Sequence, residues 1–485
     1  MAKQIPVTSR ASQIEYAIRD VVVPATALEA KGHEIIKLNI GDPLAYPGLP
    51  TPDHMLSAYE KALQDQKNGY SPAYGIPKLR VAIANNEQSK LNGGWNCNPD
   101  DVYVCHGVTE ALQIIFATFL NDGDEVLAPG PHYPPYMAYP QLFGGKTVEY
   151  RLDPDNGWKI DFDDLESKMN DNVKLLVLIN PNNPTGNVIT DQEITSIIDL
   201  ASKWENCTII SDEIYDRLNF NGTHFSTASI SSNVPVITLN GVSKVYYAPG
   251  WRIGYMALHD PTNKLSQIKD GLERLLRSRL CASTPAQYGY LAGLNDDDKW
   301  MNTYLNKLRK RNELCVELIN KIDGLSVEKP QGAFYMFVKL TEDHWKNKDK
   351  DFVLDLLHSK YVLTVHGSGF SEKYGKNLSI FDHDNLFYTD VESINSPNNV
   401  LNFNKTLTPW LYDNLKGAYS INIEIQPDIT DTNFKSLLIN ASNSFSYFKL
   451  VKNIIACTNC GTKYKNRATR CSVCKSNSKI QYQTK

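Results

Sequence analysis

Between about residues 98 and 260, short apolar runs rich in β-branched residues alternate with longer segments of helical spacing. The apolar runs are DVYVC, EVLAP, KLLVLI, CTIIS and VITLNG, and the longest helical segments are TEALQIIFATFL and QEITSIIDLASKW. Strands that are apolar throughout and separated by helices are typical of a parallel sheet covered on both faces. The pattern therefore predicts an α/β domain.

The pattern changes twice further along the chain. Residues 263–325 have the spacing of long helices, and strand-like GAFYMFVKL, helical KDFVLDLLHSK and strand-like YVLTVHG then predict a smaller α+β unit. After Asn377 the alternation stops and an Asn-rich stretch, SINSPNNVLNFNKT, follows. We therefore expect five regions: an N-terminal arm with part of the small domain (1–40), a large domain (41–290), a partial small domain (291–377), an irregular segment (378–450) and a cysteine-containing tail (451–485).

Composition narrows the class of protein. The chain has 485 residues, of which 42% are hydrophobic and 21% charged, as in ordinary soluble globular proteins. A net charge of -4 argues against a general nucleic-acid binder. The first residues, MAKQIPVTSRASQIEYAIRD, lack the pattern of a secretory signal, and no apolar run reaches the roughly 18 residues needed to span a bilayer. We expect a cytoplasmic protein.

Four polar motifs, HGVTEA, NPNNPTG, SDEIYD and GVSK, each follow directly after an apolar run. In open α/β sheets, ligands bind at the carboxyl ends of the strands. The four motifs are therefore predicted to line one site.

Lys244 is the residue of greatest chemical interest in these motifs. A lysine amine that is kept partly deprotonated condenses with an aldehyde to form an imine. If the aldehyde were pyridoxal phosphate, the site would also need an anion cradle, an acid for the ring nitrogen, donors for the phenolic oxygen and a stacking aromatic ring.

The sequence offers two candidates for the anion cradle. Gly107–Ala111 lies where a strand meets a helix, so its N–H groups and the helix dipole could face a phosphate. The same residues could equally form only a helix cap. Arg252, after the Pro249-Gly250 turn, could bind the phosphate through two hydrogen bonds or could be an ordinary surface charge.

Candidates for the ring contacts also have two interpretations each. Asp212 could keep a pyridine nitrogen protonated or could cap the next helix. Asn183 could contact the cofactor or hold a turn. Tyr133 could stack on a flat ring or simply pack in the loop.

Taken in order along the chain, GYSPAYGIPKLR, HGVTEAL, NPNNPTG, SDEIYD and SKVYYAPGWRIGY resemble the fold type I pyridoxal-phosphate aminotransferases of the class I/II group, over about residues 1–377. NIGDP, INPNNPTG, DEIYD and KPQGAFYMF are most similar to the alanine aminotransferase branch. The resemblance implies a large domain with a mixed, mostly parallel sheet, an α+β small domain and a homodimer.

The resemblance also implies roles for individual residues. Lys244 would form the imine with the cofactor and move the substrate proton. Asp212 would pair with the ring nitrogen, Asn183 and Tyr215 would bind the phenolic oxygen, and Tyr133 would stack on the ring.

The implied phosphate site comprises Val108, Thr109, Ser243 and Arg252, with Tyr70 contributed by the partner subunit. The implied reaction is transamination between a small, alanine-like amino acid and 2-oxoglutarate. Each substrate reacts in turn, which gives ping-pong kinetics.

One expected residue is absent. Aminotransferases of this group grip the substrate carboxylate with a small-domain arginine, but this chain has Ile380 at about that position. No arginine occurs between Arg311 and Arg467. Gly41 and Asn183 would remain as partners of the carboxylate, and Lys376 could supply a point charge without the planar fork.

The tail contains four cysteines spaced C-x2-C-x10-C-x2-C, which is the pattern of a zinc ribbon. The expected zinc ligands are Cys457, Cys460, Cys471 and Cys474. Basic residues between the two pairs could contact nucleic acid, but a solvated loop is the simpler interpretation.

Residues 415–480 loosely resemble the C-terminal zinc region of anaerobic ribonucleotide reductases. The glycyl-radical phrase that should follow is absent, because the chain reads IQYQTK at its end. The missing arginine and the unrelated tail leave a second hypothesis open: a degenerate or chimeric cofactor-binding protein that serves as a zinc-tailed interaction module.

Overall fold

The computed structural model describes residues 4–12, 14, 17–39, 41–44, 50–90, 94–222, 224–382, 454–457, 463–465 and 480–482. The chain divides into two units, residues 1–394 and 395–485. No helix of the described segments has the length and apolar character needed to cross a membrane.

Thirteen helices occur in the described part of the first unit. They are α1 Ser9–Ser12, α2 Ala17–Glu29, α3 Asp53–Gln64, α4 Pro77–Ser89, α5 Gly107–Phe119, α6 Pro135–Leu142, α7 Phe162–Lys168, α8 Asp191–Ala201, α9 Thr227–Ile230, α10 Ser266–Arg279, α11 Thr284–Leu294, α12 Lys299–Ile319 and α13 Asp349–Lys360. Short 3-10 helices lie at Pro99–Asp101, Pro249–Trp251, Asp343–Trp345 and Gly367–Gly369.

The strands of the first unit are β1 Ile36–Lys37, β2 Val102–Cys105, β3 Glu125–Gly130, β4 Lys146–Asp153, β5 Lys159–Ile160, β6 Val173–Ile179, β7 Thr208–Asp212, β8 Val236–Gly241, β9 Gly254–His259, β10 Leu325–Ser326, β11 Tyr335–Leu340, β12 Val362–Leu363, β13 Val365–His366 and β14 Leu378–Asp382. The second unit contains β15 Ile454–Cys457, β16 Lys463–Lys465 and β17 Ile480–Tyr482.

The large sheet has eight strands in the order β2-β9-β8-β7-β6-β3-β4-β5. Six of them run in one direction, and β9 and β5 run antiparallel to their neighbours. The predicted mixed, mostly parallel sheet is therefore confirmed. Because β2, β6, β7 and β8 share one direction, the four polar motifs that follow them lie at the same edge of the sheet.

One hydrophobic cluster of the large domain lies between this sheet and the helices α5 and α10. In α5 the buried residues Ala111, Leu112, Ile115 and Phe116 form one apolar stripe at helical spacing. The stripe packs on the central strands in a continuous hydrophobic cluster. This packing fixes the N-terminus of α5 at the edge where the polar motifs lie.

The small sheet has the order β10-β11-β14-β13 and is antiparallel throughout. Strand β14 begins at Leu378, directly after the break expected at Asn377, so residues 378–382 are an internal strand rather than irregular chain. Its apolar run is short and leads into an Asn-rich stretch, which is why it was not recognisable as a strand. The N-terminal segment joins the same region, because β1 pairs with β12.

The second unit contains a small antiparallel sheet in the order β16-β15-β17. Of the four expected zinc ligands, Cys457 is the last residue of β15, and the other three lie outside the described residues. In the described part of the chain, no group of three or more His, Cys, Asp or Glu side chains is arranged to hold a metal ion.

Candidate active site

Lys244 lies just after β8, at the carboxyl edge of the large sheet. Its Nζ donates a hydrogen bond to the Gly41 carbonyl and lies 5.5 Å from the centre of the Phe334 ring. The lysine therefore lies where the large sheet, the N-terminal segment and the chain leading into β11 meet.

Close packing around Gly41 explains why position 41 is a glycine. A Cβ atom at this position would lie 1.8 Å from the Tyr335 Oη. That hydroxyl forms a 3.0 Å hydrogen bond with the Tyr215 Oη. Burial, and after it the neighbouring Tyr335, raises the pKa of Tyr215 well above its usual value, so its hydroxyl stays protonated at neutral pH.

Asp212 ends β7 and is buried. Its Oδ2 accepts a 2.8 Å hydrogen bond from the Tyr136 Oη, and its Oδ1 accepts a 3.3 Å bond from the Ile214 N–H. Burial raises the pKa of Asp212 to about 6, although Tyr136, the Ile214 N–H and Lys244 all act to lower it. The carboxylate is therefore ionised above about pH 6 and carries a negative charge inside the protein.

A buried ion cluster includes Glu213, the residue directly after Asp212. Lys90 Nζ lies 2.9 Å from Glu87, 2.8 Å from Glu213 and 3.3 Å from Asp216. Burial acts to raise the pKa of Glu213, but Lys90 and His224 outweigh it and lower that pKa. The cluster anchors the turn after β7 to α4 and so fixes the segment that carries Asp212 and Tyr215.

The predicted anion cradle is brought together at the start of α5. Arg252 donates from Nη1 to the Pro249 carbonyl at 3.1 Å and from Nη2 to the His106 carbonyl at 3.4 Å. A Cβ atom at Gly107 would lie 2.5 Å from the Arg252 Nη2. The Arg252 guanidinium thus lies at the N-terminus of α5, and positive charge beside the N–H groups of a helix start is an arrangement suited to phosphate.

The turn in NPNNPTG is held by Asn182 rather than Asn183. The Asn182 Oδ1 accepts hydrogen bonds from the Thr185 N–H at 3.2 Å and from the Thr185 Oγ1 at 2.9 Å. Asn183 is also buried. The asparagine whose side chain bonds within this turn is therefore Asn182.

The remaining predicted residues have different surroundings. Val108 and Thr109 are half-buried in the first turn of α5, and Ser243 is buried next to Lys244. Tyr133 is half-buried, with its ring 6.5 Å from that of Tyr136. Tyr70 is 83% exposed and lies on the surface of the subunit.

Two tyrosines of this region, Tyr136 and Tyr335, were not among the predicted site residues. Tyr136 follows Tyr133 by three residues, and its backbone N–H donates to the Tyr133 carbonyl in the turn that leads into α6. The sequence gives no sign that Tyr136 reaches β7 or that Tyr335 reaches Tyr215, because both contacts depend on tertiary packing.

The position expected for the carboxylate-binding arginine lies in β14. Ile380 is buried and pairs with Phe337 of β11 and Val365 of β13. Paired residues share one face of a sheet, so Ile380 lies on the face of Phe337 and Tyr335. Lys376, the possible substitute, is instead a half-exposed residue 3.9 Å from Glu372.

The donor set fits pyridoxal phosphate. It combines an amine, a buried carboxylate, protonated hydroxyls and an anion cradle at one edge of one sheet. Residues 33–378 match the sequence model of the family described as aminotransferase class I and II. The chain belongs to this aminotransferase family. The match ends one residue into β14, so it does not extend to the tail.

Named relatives agree with this assignment. The chain is 37% identical to the glutamate-pyruvate aminotransferase AlaA of Haemophilus influenzae, over 75% of this chain and 90% of that protein. It is 36% identical to the alanine aminotransferase of Mycobacterium tuberculosis, over 75% of this chain and 85% of that protein. Such similarity favours an enzyme over a degenerate binding module.

A solved structure has the same fold. The alanine aminotransferase of Pyrococcus furiosus is 44% identical, with a TM-score of 0.77 over 83% of this chain and 100% of that chain. The described architecture is therefore that of a fold type I aminotransferase. Like its relatives, this protein is a pyridoxal-phosphate-dependent aminotransferase.

Proposed function

We propose that this aminotransferase transfers an amino group between a small amino acid such as alanine and 2-oxoglutarate. The names of its relatives, alanine and glutamate-pyruvate aminotransferase, support this substrate pair. The observation that carries the proposal is the position of Lys244, beside Gly41 and close enough to the Asp212 carboxylate to lower its pKa.

Pyridoxal phosphate would be held by residues from three parts of the site. Val108, Thr109, Ser243 and Arg252 would bind its phosphate, since the helix terminus and the guanidinium provide positive charge. When bound, the cofactor supplies an aldehyde and a ring that accepts electrons. Tyr133 would stack on that ring.

Two groups would control the cofactor ring. The Asp212 carboxylate would keep the ring nitrogen protonated, because an adjacent negative charge favours the protonated form. Tyr215 is a permanent hydrogen-bond donor, and with Asn183 it would bind the phenolic oxygen.

Lys244 would perform the proton transfer. Its Nζ would take the proton from the α-carbon of the amino acid and pass it on within the same half-reaction, and with the second substrate it would move a proton in the opposite direction, onto the α-carbon. Gly41 and Asn183 would bind the substrate carboxylate. The apolar Ile380, on the face of Tyr335, leaves that carboxylate without a charged clamp, so we expect weak substrate binding and a high KM.

The experiment that tests this proposal measures pyruvate formation from L-alanine and 2-oxoglutarate by purified protein with pyridoxal phosphate. We expect pyruvate to form at a rate that needs both substrates and that Lys244→Ala abolishes. If wild-type protein with bound cofactor forms pyruvate no faster than Lys244→Ala does, the substrate assignment is wrong.

We also propose that the enzyme works as a homodimer. The support is Tyr70, a large side chain that is mostly exposed although its predicted role is at a phosphate site. Other exposed apolar side chains, at Leu63, Val81 and Leu280, would be covered in such an assembly. Sedimentation equilibrium would show twice the 54.6 kDa mass of one chain.

For the tail we propose a zinc ribbon with Cys457, Cys460, Cys471 and Cys474 as ligands. The cysteine spacing and the small antiparallel sheet around β15 support it. Metal analysis should find one zinc per chain, and none after all four cysteines are changed to serine. The cysteines at 97, 105, 207 and 281 form no disulfide in the described part of the chain, which supports the proposed cytoplasmic location.

A further inference from the structure

Tyr136 lies in the first turn of α6, and its side chain is fully buried. Its ring packs edge-on against Phe116 of α5, with ring centres 6.5 Å apart. Its backbone carbonyl accepts a 2.6 Å hydrogen bond from the Thr147 Oγ1 of β4. Three elements thus hold this tyrosine in one position.

The hydroxyl of Tyr136 is a fixed donor to one acceptor. It lies 2.8 Å from the Asp212 Oδ2. Burial, followed by the charge of Asp212, raises the pKa of Tyr136 well above its usual value. The hydroxyl therefore stays protonated at neutral pH and donates to the carboxylate.

Few other groups act on Asp212. On its own segment, Glu213 acts to raise its pKa and the Ile214 N–H to lower it, and Lys244, after β8, also lowers it. The charge of Asp212 in turn raises the pKa of Tyr215, whose hydroxyl is bonded to Tyr335. Of the two hydrogen bonds that the Asp212 carboxylate accepts, from Tyr136 and from the Ile214 N–H, the one from Tyr136 is shorter.

A buried carboxylate is stable as an anion only if donors replace the water it has lost. We propose that Tyr136 is the positioning residue that keeps Asp212 ionised and oriented for the ring nitrogen of pyridoxal phosphate. This inference rests on the proposed role of Asp212. Without the hydroxyl, the Asp212 carboxylate would be protonated more easily and would stabilise a protonated ring nitrogen less well.

The experiment titrates Asp212 in cofactor-free protein by infrared spectroscopy. The carboxyl band is assigned by its loss in Asp212→Asn. Loss of one hydrogen bond to a charged group corresponds to a shift of about 1 to 2 units in the pKa of that group. We expect the titration midpoint to rise by that amount in Tyr136→Phe, and also in Tyr136→Met, which removes the donor with a side chain of different shape.

Tyr150→Phe is the matched control. Tyr150 is a fully buried tyrosine of β4 whose Oη donates to the Val177 carbonyl at 2.8 Å. Its loss removes the same chemical group without touching Asp212, so the midpoint should stay at the wild-type value. A wild-type midpoint in Tyr136→Phe, or an equal rise in Tyr150→Phe, would overturn the inference.

A second measurement uses the loaded protein and pyridoxal phosphate labelled with 15N at the ring. The 15N NMR shift should report a protonated ring nitrogen in wild type and a less protonated one in Tyr136→Phe. Failure of wild-type protein to bind the cofactor would refute the proposed function. Binding with a ring that stays equally protonated in Tyr136→Phe would refute only the role of Tyr136.

Discussion

At the scale of single residues, Ile380 is the clearest departure from the expected site. It pairs with Phe337, whose ring lies 5.2 Å from that of Trp158 in the large domain. A longer side chain at position 380 would share this face with Tyr335, which contacts Tyr215. Isoleucine packs at this buried position, but it cannot bind a carboxylate.

The change Ile380→Arg should raise kcat/KM for L-alanine. One hydrogen bond to a charged group corresponds to a change of about ten- to hundredfold in kcat/KM, and the guanidinium can make two such bonds to the substrate carboxylate. Steady-state kinetics with 2-oxoglutarate as acceptor would measure the gain. Ile380→Met, which adds length without charge, should leave kcat/KM near wild type. An unchanged kcat/KM in folded, cofactor-loaded Ile380→Arg would contradict this account.

The sequence predicted the residues whose chemistry is unusual for their position. Lys244, Asp212 and Arg252 each stand at the end of a strand or after a turn in a recognisable phrase, so a position at one edge of the sheet could be expected for them. Tyr136 and Tyr335 could not be assigned, because a tyrosine in an apolar stretch has no signal that distinguishes packing from a hydrogen bond across the fold. Asn182 and Asn183 are adjacent and chemically identical, so only the folded structure shows that the Asn182 side chain makes the hydrogen bonds within the turn.

At the scale of elements, the site depends on how closely β9 approaches the start of α5. A Cβ atom at Gly254 would lie 2.8 Å from the Val108 N and 2.9 Å from the Gly107 carbonyl carbon. These are backbone atoms, so they cannot move aside as a flexible side chain can. Glycine at 254 therefore lets the strand support the helix end that forms the proposed anion cradle.

Gly254→Ala should weaken cofactor binding, because it displaces the N-terminus of α5 from Arg252. We expect the Kd for pyridoxal phosphate to rise by about tenfold or more, since overpacking typically costs about 1–3 kcal/mol. Titration of the cofactor's visible absorbance would measure it. Gly250→Ala is the control, because its added Cβ would meet no atom within 4 Å. Equal Kd values for the two variants would refute the argument.

The central strands could be predicted because they are apolar on both faces and carry polar motifs at their ends. The antiparallel direction of β9 was not visible in the sequence. The connection between β8 and β9 contains only the 3-10 helix Pro249–Trp251, and not the α-helix that usually joins two parallel strands. Strand β14 escaped recognition because its burial depends on β11 and β13, which lie more than ten residues before it.

At the scale of the whole molecule, the family match and the compact unit end at different places. The match ends at residue 378, whereas the first unit extends to residue 394. The difference includes β14, which lies inside the small sheet. The small sheet therefore includes residues beyond the point at which the family match ends.

Two truncations should separate these boundaries. A chain of residues 1–394 should keep its thermal unfolding midpoint and its cofactor. A chain of residues 1–377 should lose at least about 3 kcal/mol of unfolding free energy, because Leu378 and Ile380 are no longer buried. Calorimetry of both would measure the difference. Equal midpoints for the two chains would show that β14 contributes nothing to the fold.

The central claim is that Lys244 holds the cofactor, and borohydride reduction tests it most directly. Protein loaded with pyridoxal phosphate is reduced, digested and analysed by mass spectrometry. The account predicts a pyridoxyl group on Lys244, in the peptide that contains GVSKVYYAPGWR, and none on that peptide without reduction. An unmodified Lys244, or modification of another lysine in its place, would contradict it.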